Sequence, residues 1–494
     1  MDKIIFFTKA PRLGFGKSRL KNYLDENQRL QLTIDLINEN YKKIKKTNKD
    51  YVIYYDGSKN DIDFLSGEKI HQQGDDLGTR MKNSIDKQLS FSNKVILIGS
   101  DLINLSEKEI NRAFEQLDFY DIVISPSDDG GYGLVGMKES LDIFSNIVYS
   151  KSNVLVETIK KIKEMNKTYK LLDEIYDIDD FTDLLKAEFS SKDIELLGAG
   201  EYNINYKYKN KVIRINLQSQ LGLGKEQIKY EYNALKELEK STVTPKAYEL
   251  YDKGKYLPFG FLTMEFIEGR ALDYNKDLEI AAYMLSKIHS TKIEDSKLIF
   301  ADKPFKNMYE EFEHMYSYYK DWENKNKDTE KYIDKFMLIA KRSGLNKKIE
   351  KPCIINTELN NRNFIIGENS KVIDWEKPII GECEQDLAHF LVPTTTNWKT
   401  DVILDKKDML DFLNIYKKYR KVDMYKFFKY LMFNSLRGVT WCSMAKVEYS
   451  KERKIKNEDT IEKINKFLSQ EYLEMLSKLY EEFKWKNQKN KWWK

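Results

Sequence analysis

Over residues 1–190 short apolar runs alternate with polar stretches in which apolar residues recur at helical spacing. Ile4 to Thr8 is the first run, and Leu30, Ile34, Ile37, Tyr41 and Ile44 follow with a helical period. YVIYY (51–55), KVILI (94–98) and DIVIS (121–125) are three further strands. Between the last two, SEKEINRAFEQL opens on Ser106 with Glu109 three residues later, a capping-box pattern that starts a helix. Strand alternating with helix predicts an α/β domain, a mostly parallel sheet with helices on both faces. Ligands of such sheets sit beyond the C-terminal strand ends.

Near Lys192 the pattern changes. DIELLGAGEYNINYKYKNKVIRIN alternates like an antiparallel hairpin with a glycine pair at its start. A helix (KEQIKYEYNALKELEK) and another strand (FGFLTMEFIEG) follow, and beyond residue 277 the spacing is mostly helical. Strands first and helices afterwards predict a small sheet lobe joined to a helical lobe. FSSKD (189–193) is the expected join, dividing the chain into domains 1–190 and 191–494.

The length of 494 residues fits two or three domains. With 83 basic and 79 acidic residues the net charge is only +4, which argues against a dedicated nucleic-acid binder. Cys353, Cys383 and Cys442 are widely spaced and odd in number, so a disulfide framework or structural zinc site is not expected and a reducing cytoplasm fits. His71, His289, His314 and His389 form no ligand-spaced set; His289 and His389 lie on apolar helices as core or loop-bracing residues. No apolar run approaches the ~20 residues that span a bilayer, so no membrane insertion is expected. The basic, aromatic tail KWKNQKNKWWK is expected to be a frayed, solvated helix end.

Four polar clusters follow strands in the first domain and a fifth comes just before the domain ends. They are KAPRLGFGKSRL (Lys9 to Leu20), GDDLGTRM (74–81), the GSD ending at Asp101, SPSDDGGYGLVG with Asp129 and Gly130, and DIDDFTDL (177–184). Gly14 and Gly16 would let backbone amides approach a ligand, basic residues would neutralise a triphosphate, and carboxylates at strand ends suit Mg²⁺. Asp75 and Asp76 of the second cluster are placed with the nucleotide. GFGKS is not a P-loop, because Pro11 stands where the Walker pattern needs its first glycine and offers no N–H to a phosphate.

In their order these motifs resemble a bacterial family of GT-A-like proteins. That family is similar to the guanylyltransferase that activates phospholactate in deazaflavin cofactor synthesis and, more distantly, to molybdopterin nucleotidyltransferases; some members are labelled glycosyltransferases. The resemblance covers residues 1–185. It implies a mixed, mostly parallel nucleotide-binding sheet, with Asp101 and Asp179 as metal ligands and Lys9, Arg12 and Lys17 on the NTP phosphates. It also implies that Asp129 and Gly130 face the acceptor. Ser18 stands where Thr is usual, and Asp179-Asp180-Phe181 where Asp-Thr-Pro is usual.

The second domain carries a Gly-rich turn with Gly198 and Gly200, Arg214 on a strand, Glu231 on the next helix and MEFIEG, with Glu265, as a hinge. INTELNNRNFII (355–366), VIDWE (372–376) and QDLAHFL (385–391) complete a kinase plan. This half resembles the aminoglycoside phosphotransferase and choline kinase superfamily, which implies a two-lobed, protein-kinase-like α+β fold. The resemblance makes Asp374 and Asn363 metal ligands and Asp386 the support of the loop. The family loop His-x-Asp-x-x-x-x-Asn here reads Asn356-Thr357-Glu358 and, five residues on, Asn363. Glu358 keeps a carboxylate able to take an alcohol proton, with its oxygens displaced by about an ångström or more. The aromatics of MYSYYKDW (315–322) belong either to an amphipathic helix or to a pocket wall for an amine.

A kinase makes phosphate esters and a nucleotidyltransferase consumes them. The expectation is a bifunctional enzyme using Mg²⁺, ATP and a second NTP. One half phosphorylates a small alcohol (an amino alcohol, a hydroxy amino acid or a polyol) at Glu358. The other joins the ester to the NTP, with Lys17 and Arg12 on the leaving pyrophosphate. CTP is favoured over GTP by the association of CDP-alcohols with choline-kinase-like domains. The alternative is an NDP-sugar glycosyltransferase whose kinase-like half only binds a ligand.

Overall fold

The computed structural model describes residues 2–149, 151–200, 202–219, 221–451 and 458–484, so the basic tail at 485–494 lies outside the described residues. Two compact units emerge, one of residues 1–196 with 253–258, the other of residues 197–252 with 259–494.

The first unit runs β1 (Asp2–Lys9), α1 (Glu26–Lys46), β2 (Asp50–Asp56), β3 (Lys69–His71), α2 (Leu77–Leu89) and β4 (Lys94–Gly99). It continues through α3 (Glu107–Gln116), β5 (Ile122–Pro126), β6 (Tyr132–Met137), α4 (Val154–Glu164), β7 (Tyr169–Leu171) and α5 (Phe181–Phe189). The seven strands form one sheet in the order β3-β2-β1-β4-β6-β5-β7. All pair in parallel except β6, which lies antiparallel between β4 and β5. The sheet is therefore mixed and mostly parallel, as the motifs imply.

Alternation along each strand serves both faces. Ile4, Phe6, Ile53, Ile96 and Ile98 pack under Ile37 and Tyr41 of α1 and Phe114 of α3. Ile5, Val52, Val95, Leu97 and Ile124 pack under Met81 and Ile85 of α2 and Ile162 of α4. The capping box at Ser106 is present: its hydroxyl accepts from the Glu109 amide at 3.3 Å while the Glu109 carboxylate accepts from the Ser106 amide. The hydrophobic pattern alone did not reveal β6, since GYGLVG reads as a glycine-rich loop; Gly136 is required there because a Cβ would come within 2.8 Å of the Ile96 side chain.

A second sheet, in the order β11-β12-β10-β9-β8, is formed by β8 (Ile194–Ala199, which begins at the end of the first unit's residues), β9 (Asn203–Tyr208), β10 (Lys211–Asn216), β11 (Ala247–Tyr251) and β12 (Phe261–Glu265), with α6 (Gln227–Leu238) after β10. The remainder is mainly helical: α7 (Leu278–His289), α8 (Pro304–Lys320), α9 (Lys327–Arg342), α10 (Cys383–Leu391), α11 (Pro393–Lys399), α12 (Lys406–Lys417), α13 (Met424–Tyr449), α14 (Glu458–Phe467) and α15 (Gln470–Lys484). Small ladders lie among them: β13 (Arg270–Ala271) with β15 (Phe364–Ile366) and β16 (Lys371–Val372), and β14 (Pro352–Ile355) with β17 (Ile379–Glu382). Aromatic residues tie the helices together, as where Phe305 stacks on Tyr430 at 4.4 Å and meets Phe433 at 4.9 Å. Met315, Tyr316 and Tyr319 are buried in this core, so MYSYYKDW is chiefly the inner face of an amphipathic helix.

Candidate functional sites

In the first unit five loops reach one edge of the sheet. Because β1, β2, β3, β4, β5 and β7 all run the same way, the segments after β1, β3, β4, β5 and β7 emerge together. The loop after β7 is stitched back along that edge. Ser127 bridges to Ile175, Leu102 bridges to Asp177, and the Ile103 amide donates to the Tyr176 carbonyl at 2.9 Å. This crossing brings Asp101 next to the segment 177–179, a juxtaposition of residues 76 or more apart in sequence.

Lys17 joins the two. Its ammonium donates to Asp101 Oδ2 at 2.9 Å and to the Ile178 carbonyl at 2.6 Å. Burial alone would lower the Lys17 pKa, but Asp101, with Asp177 and Asp179 behind it, outweighs that and holds the ammonium above its ordinary value. Burial likewise works against the Asp101 carboxylate, and Lys17 keeps it below the ordinary range. Burial, Asp101 and Asp179 push Asp177 up to about 7, with Lys17 offsetting them only in part. Asp179 pairs with Arg19 at 2.8 Å.

The glycine-rich loop that presents Lys17 is held in the left-handed region at Gly14 (φ 81°), Gly16 (φ 77°) and Lys17 itself (φ 46°). Buried Arg29 anchors it by donating to the Gly16 carbonyl at 3.2 Å. Arg12 stacks on Phe15 at 4.8 Å, and Lys9 is the exposed last residue of β1. Asp75 is exposed, whereas the Asp76 carboxylate caps α2, accepting from the Thr79 amide at 2.9 Å and hydroxyl at 2.7 Å. Asp129 braces its own turn through the Ser127 hydroxyl and the Gly131 amide, and Gly130 lies so close to the Ser152 carbonyl that no Cβ would fit. Asn40, fully buried on α1, donates to the carbonyls of Ser100 (3.1 Å) and Leu102 (2.9 Å) and so sets the backbone on either side of Asp101.

Among the described residues no three His, Cys, Asp or Glu side chains stand in position to hold a metal by themselves. Mg²⁺ at a phosphate site requires only one or two carboxylates, with substrate oxygens and water completing its shell. Asp101 and Asp179 supply carboxylate oxygens of the kind Mg²⁺ takes beside a phosphate, each now paired with a cation, Lys17 and Arg19.

In the second unit the β14–β15 loop is shaped by Asp386 at the start of α10. Fully buried, it accepts from the amides of Asn356 and Thr357, both at 2.8 Å, and meets His289 Nε2 at 3.3 Å. Thr357 is left-handed (φ 75°), so two successive amides can converge on one carboxylate. His289 is a loop-bracing residue, its other ring nitrogen lying 2.8 Å from the Tyr416 hydroxyl.

Arg214 on β10 donates to three groups and lies 3.8 Å from a fourth, the Glu376 carboxylate. Nε donates to Glu231 of α6 at 2.5 Å, Nη2 to Asp374 at 2.9 Å and Nη1 to Asn205 at 3.4 Å. A lysine could not make this forked contact. Asp374 is left-handed (φ 66°), and its carbonyl accepts from the Asn356 side chain at 2.8 Å. Asn363 Oδ1 accepts from the Asn360 amide at 2.8 Å. A Cβ at Gly198 would meet nothing, so the space beside that end of β8 is open; Gly200 donates to the Asn203 carbonyl at 2.8 Å. Glu265 ends β12 and is held by the Lys246 amide and the Asn369 side chain.

Glu358 is paired with Lys377 at 2.7 Å and Arg437 at 3.4 Å. Burial opposes its ionisation, and these two cations outweigh burial and keep it below the usual carboxylate range. It opens on a cavity of about 520 Å³ whose walls include Glu311, Arg437, Trp398, Trp441 and Phe467. Trp398 meets Trp441 edge-on at 5.3 Å and Phe467 at 5.5 Å. His389 also faces this cavity; burial and Arg437 push it down to about 4, so it is neutral.

Sequence reasoning did not single out Asp177, Asn40, Lys377, Arg437 or the three aromatic wall residues. Arg437, a lone arginine in the apolar stretch of α13, was the one with a local signal.

A family described as an uncharacterized protein conserved in bacteria (DUF2064) matches residues 44–151, and the phosphotransferase enzyme family matches residues 198–421. No curated protein matches the chain. Among solved structures, a protein of Desulfovibrio desulfuricans G20 assigned as a nucleotide-diphospho-sugar transferase is 27% identical, covering 39% of this chain and 87% of its own (TM-score 0.37). The choline kinase of Streptococcus pneumoniae is 19% identical, covering 60% and 98% (TM-score 0.41). An aminoglycoside phosphotransferase solved with streptomycin and ATP is 17% identical, covering 60% and 96% (TM-score 0.42).

Proposed function

We propose that this transferase, with a phosphotransferase-family domain in its second unit and a DUF2064 domain in its first, makes a phosphate ester in one unit and joins it to a nucleotide in the other. The observation that carries the reading is the position of Glu358. It lies on a loop fastened by Asp386, at the mouth of a cavity of about 520 Å³ large enough for a small organic alcohol. Glu358 takes the hydroxyl proton on its carboxylate as the alcohol oxygen attacks the ATP γ-phosphate. Arg214, held rigid by Glu231, orients the ATP phosphates, with Gly198, Gly200 and Glu265 completing the nucleotide site.

In the first unit the ester is already a nucleophile and needs no strong base. Its oxygen attacks the NTP α-phosphate, and Lys17, Arg12 and Lys9 bind the phosphates that leave as pyrophosphate. Gly14 and Gly16 give that loop its close approach, Asp75 lies toward the nucleotide, and Asp129 and Gly130 shape the acceptor side. Mg²⁺ would be held by Asp101 and Asp179 in this unit and by Asn363 and Asp374 in the other, where it supplies neutralisation of phosphate charge. The aromatic wall favours an alcohol bearing an amine, Glu311 being paired with Arg437 at 3.2 Å, and CTP is the preferred second nucleotide. No helix among the described residues is long and apolar enough to cross a membrane, and a cytoplasmic place is proposed with the nucleotide substrates.

The test is incubation with ATP, CTP or GTP, Mg²⁺ and a panel of alcohols. ADP and pyrophosphate should both appear and both depend on the alcohol; release of neither across a wide panel sinks the reading. A second reading, an NDP-sugar glycosyltransferase with a ligand-binding kinase-like unit, is favoured by the pairing of Glu358 with Lys377 and Arg437, which weakens it as a base. That protein would release NDP from an NDP-sugar and no pyrophosphate.

A further inference from the structure

The two units each place a cation on the carboxylate proposed as a metal ligand, but they hold that cation differently. Arg214 is fixed from three sides on a strand in the middle of a sheet, between Glu231, Asn205 and Asp374. The Lys17 ammonium is held at its tip, by Asp101 Oδ2 and the Ile178 carbonyl, while the Lys17 backbone carbonyl accepts from the Leu20 amide at 3.0 Å. That backbone lies in a loop whose neighbouring apolar residues, Leu13 and Phe15, are 49% and 65% exposed. Arg29 ties the loop backbone at the Gly16 carbonyl, so exchange at Asp101 falls to the Lys17 side chain. The loop's conformation also depends on Gly16, next to Lys17, in the left-handed region.

The Lys17 side chain is 8% exposed while that of Asp101 is 41% exposed. The ammonium thus sits deeper in the carboxylate cluster than Asp101, which is partly exposed. A divalent cation arriving at Asp101 would meet a positive charge already seated on one of its oxygens. A triphosphate offers the ammonium another partner of opposite charge.

We propose that Lys17 occupies the cation position of the first unit until a triphosphate draws it away, so that metal and nucleotide bind there cooperatively. This rests on the proposed role of Asp101 as a metal ligand. Without nucleotide, Lys17 neutralises Asp101 and excludes metal. With nucleotide, Lys17 moves onto phosphate oxygens and frees Asp101 Oδ2. By reciprocity the metal strengthens nucleotide binding by the same factor that the nucleotide strengthens metal binding. The unit would then hold little metal at rest.

Mn²⁺ alone, titrated into the full chain and followed by its EPR signal, tests this. Asp374→Asn is present throughout to silence the other unit. Lys17→Met, of similar length and uncharged, is expected to bind Mn²⁺ at least about tenfold more tightly than the chain that keeps Lys17, since it removes a charge seated against the ligand. Adding Asp101→Asn should abolish the gain. Lys17→Gln serves as the second neutral variant if Lys17→Met does not fold, judged by its unfolding midpoint. Lys17→Arg, which keeps the charge, should leave Mn²⁺ binding weak. Equal or weaker Mn²⁺ binding by the neutral variants, with binding still dependent on Asp101, overturns the competition and leaves the metal role of Asp101 standing. Absence of any Asp101-dependent binding, with or without CTP, overturns both.

Discussion

Glu358, the proposed base, is held by Lys377 and Arg437. The two cations hold the side chain by its carboxylate, at 2.7 and 3.4 Å, instead of leaving it free in the cavity. If it accepts the alcohol proton, Glu358→Gln should lower alcohol-dependent ADP formation by about a hundredfold or more with the KM for ATP little changed. A loss of less than tenfold would move the base elsewhere. Asp177 supports a second prediction at this scale. Its carboxyl is pushed up to about 7 by burial and by Asp101 and Asp179, whereas an unfolded chain releases the same proton near 3.8. Between those values the folded state holds more protons than the unfolded one, so this group's contribution to stability is lost as pH rises toward 7. In EDTA, Asp177→Asn should therefore gain on the parent chain in urea midpoint between about pH 4 and pH 7. Parallel profiles would contradict it.

Elements present these residues by two different devices. In the first unit it is strand direction: five loops leave the same edge because their strands are parallel, and antiparallel β6 keeps β4 and β5 parallel while separating them. In the second unit it is one buried carboxylate at the start of a helix. Asp386 accepts two successive amides, and the left-handed Thr357 is tolerated because those bonds compensate its strain. Asp386→Ala should cost about 3 kcal/mol in unfolding free energy, from two buried amides left without a charged acceptor. It should also reduce ADP formation by displacing Glu358. A denaturation curve unchanged from the parent would show that the loop is held by something else. Much at this scale was legible in the sequence. Four strands of the first sheet (β1, β2, β4 and β5), the capping box at Ser106 and the kinase-like order of motifs came from periodicity and spacing, whereas the three-residue β3 and β7 are too short to show a period. Strand β6 did not, because its glycines answer to the side chains packed against them, Gly133 to Leu102 and Gly136 to Ile96.

At the scale of the molecule the two proposed nucleotide sites fall in separate compact units. With the phosphate ester supplied ready-made, Asp101→Ala should abolish pyrophosphate release and leave ADP formation from the free alcohol intact. Asp374→Ala should do the reverse. Loss of both activities from either substitution would mean the sites are not independent.

The sequence by itself determined the two fold classes and the motifs that carry carboxylates, cations and glycines, because these depend on local periodicity and on residue types at short fixed spacing. Tertiary structure alone decided which of those groups act on one another. Asp101 and Asp177 meet only because two loops cross at a sheet edge, and Lys17 is seated between Asp101 and the Ile178 carbonyl by the turn of a glycine loop. Glu358 gains Lys377 and Arg437, and the cavity its tryptophans, from helices far along the chain. Charge interactions depend on distance in space, and residues 84 apart in sequence, as Lys17 and Asp101 are, carry no pattern between them that reports it.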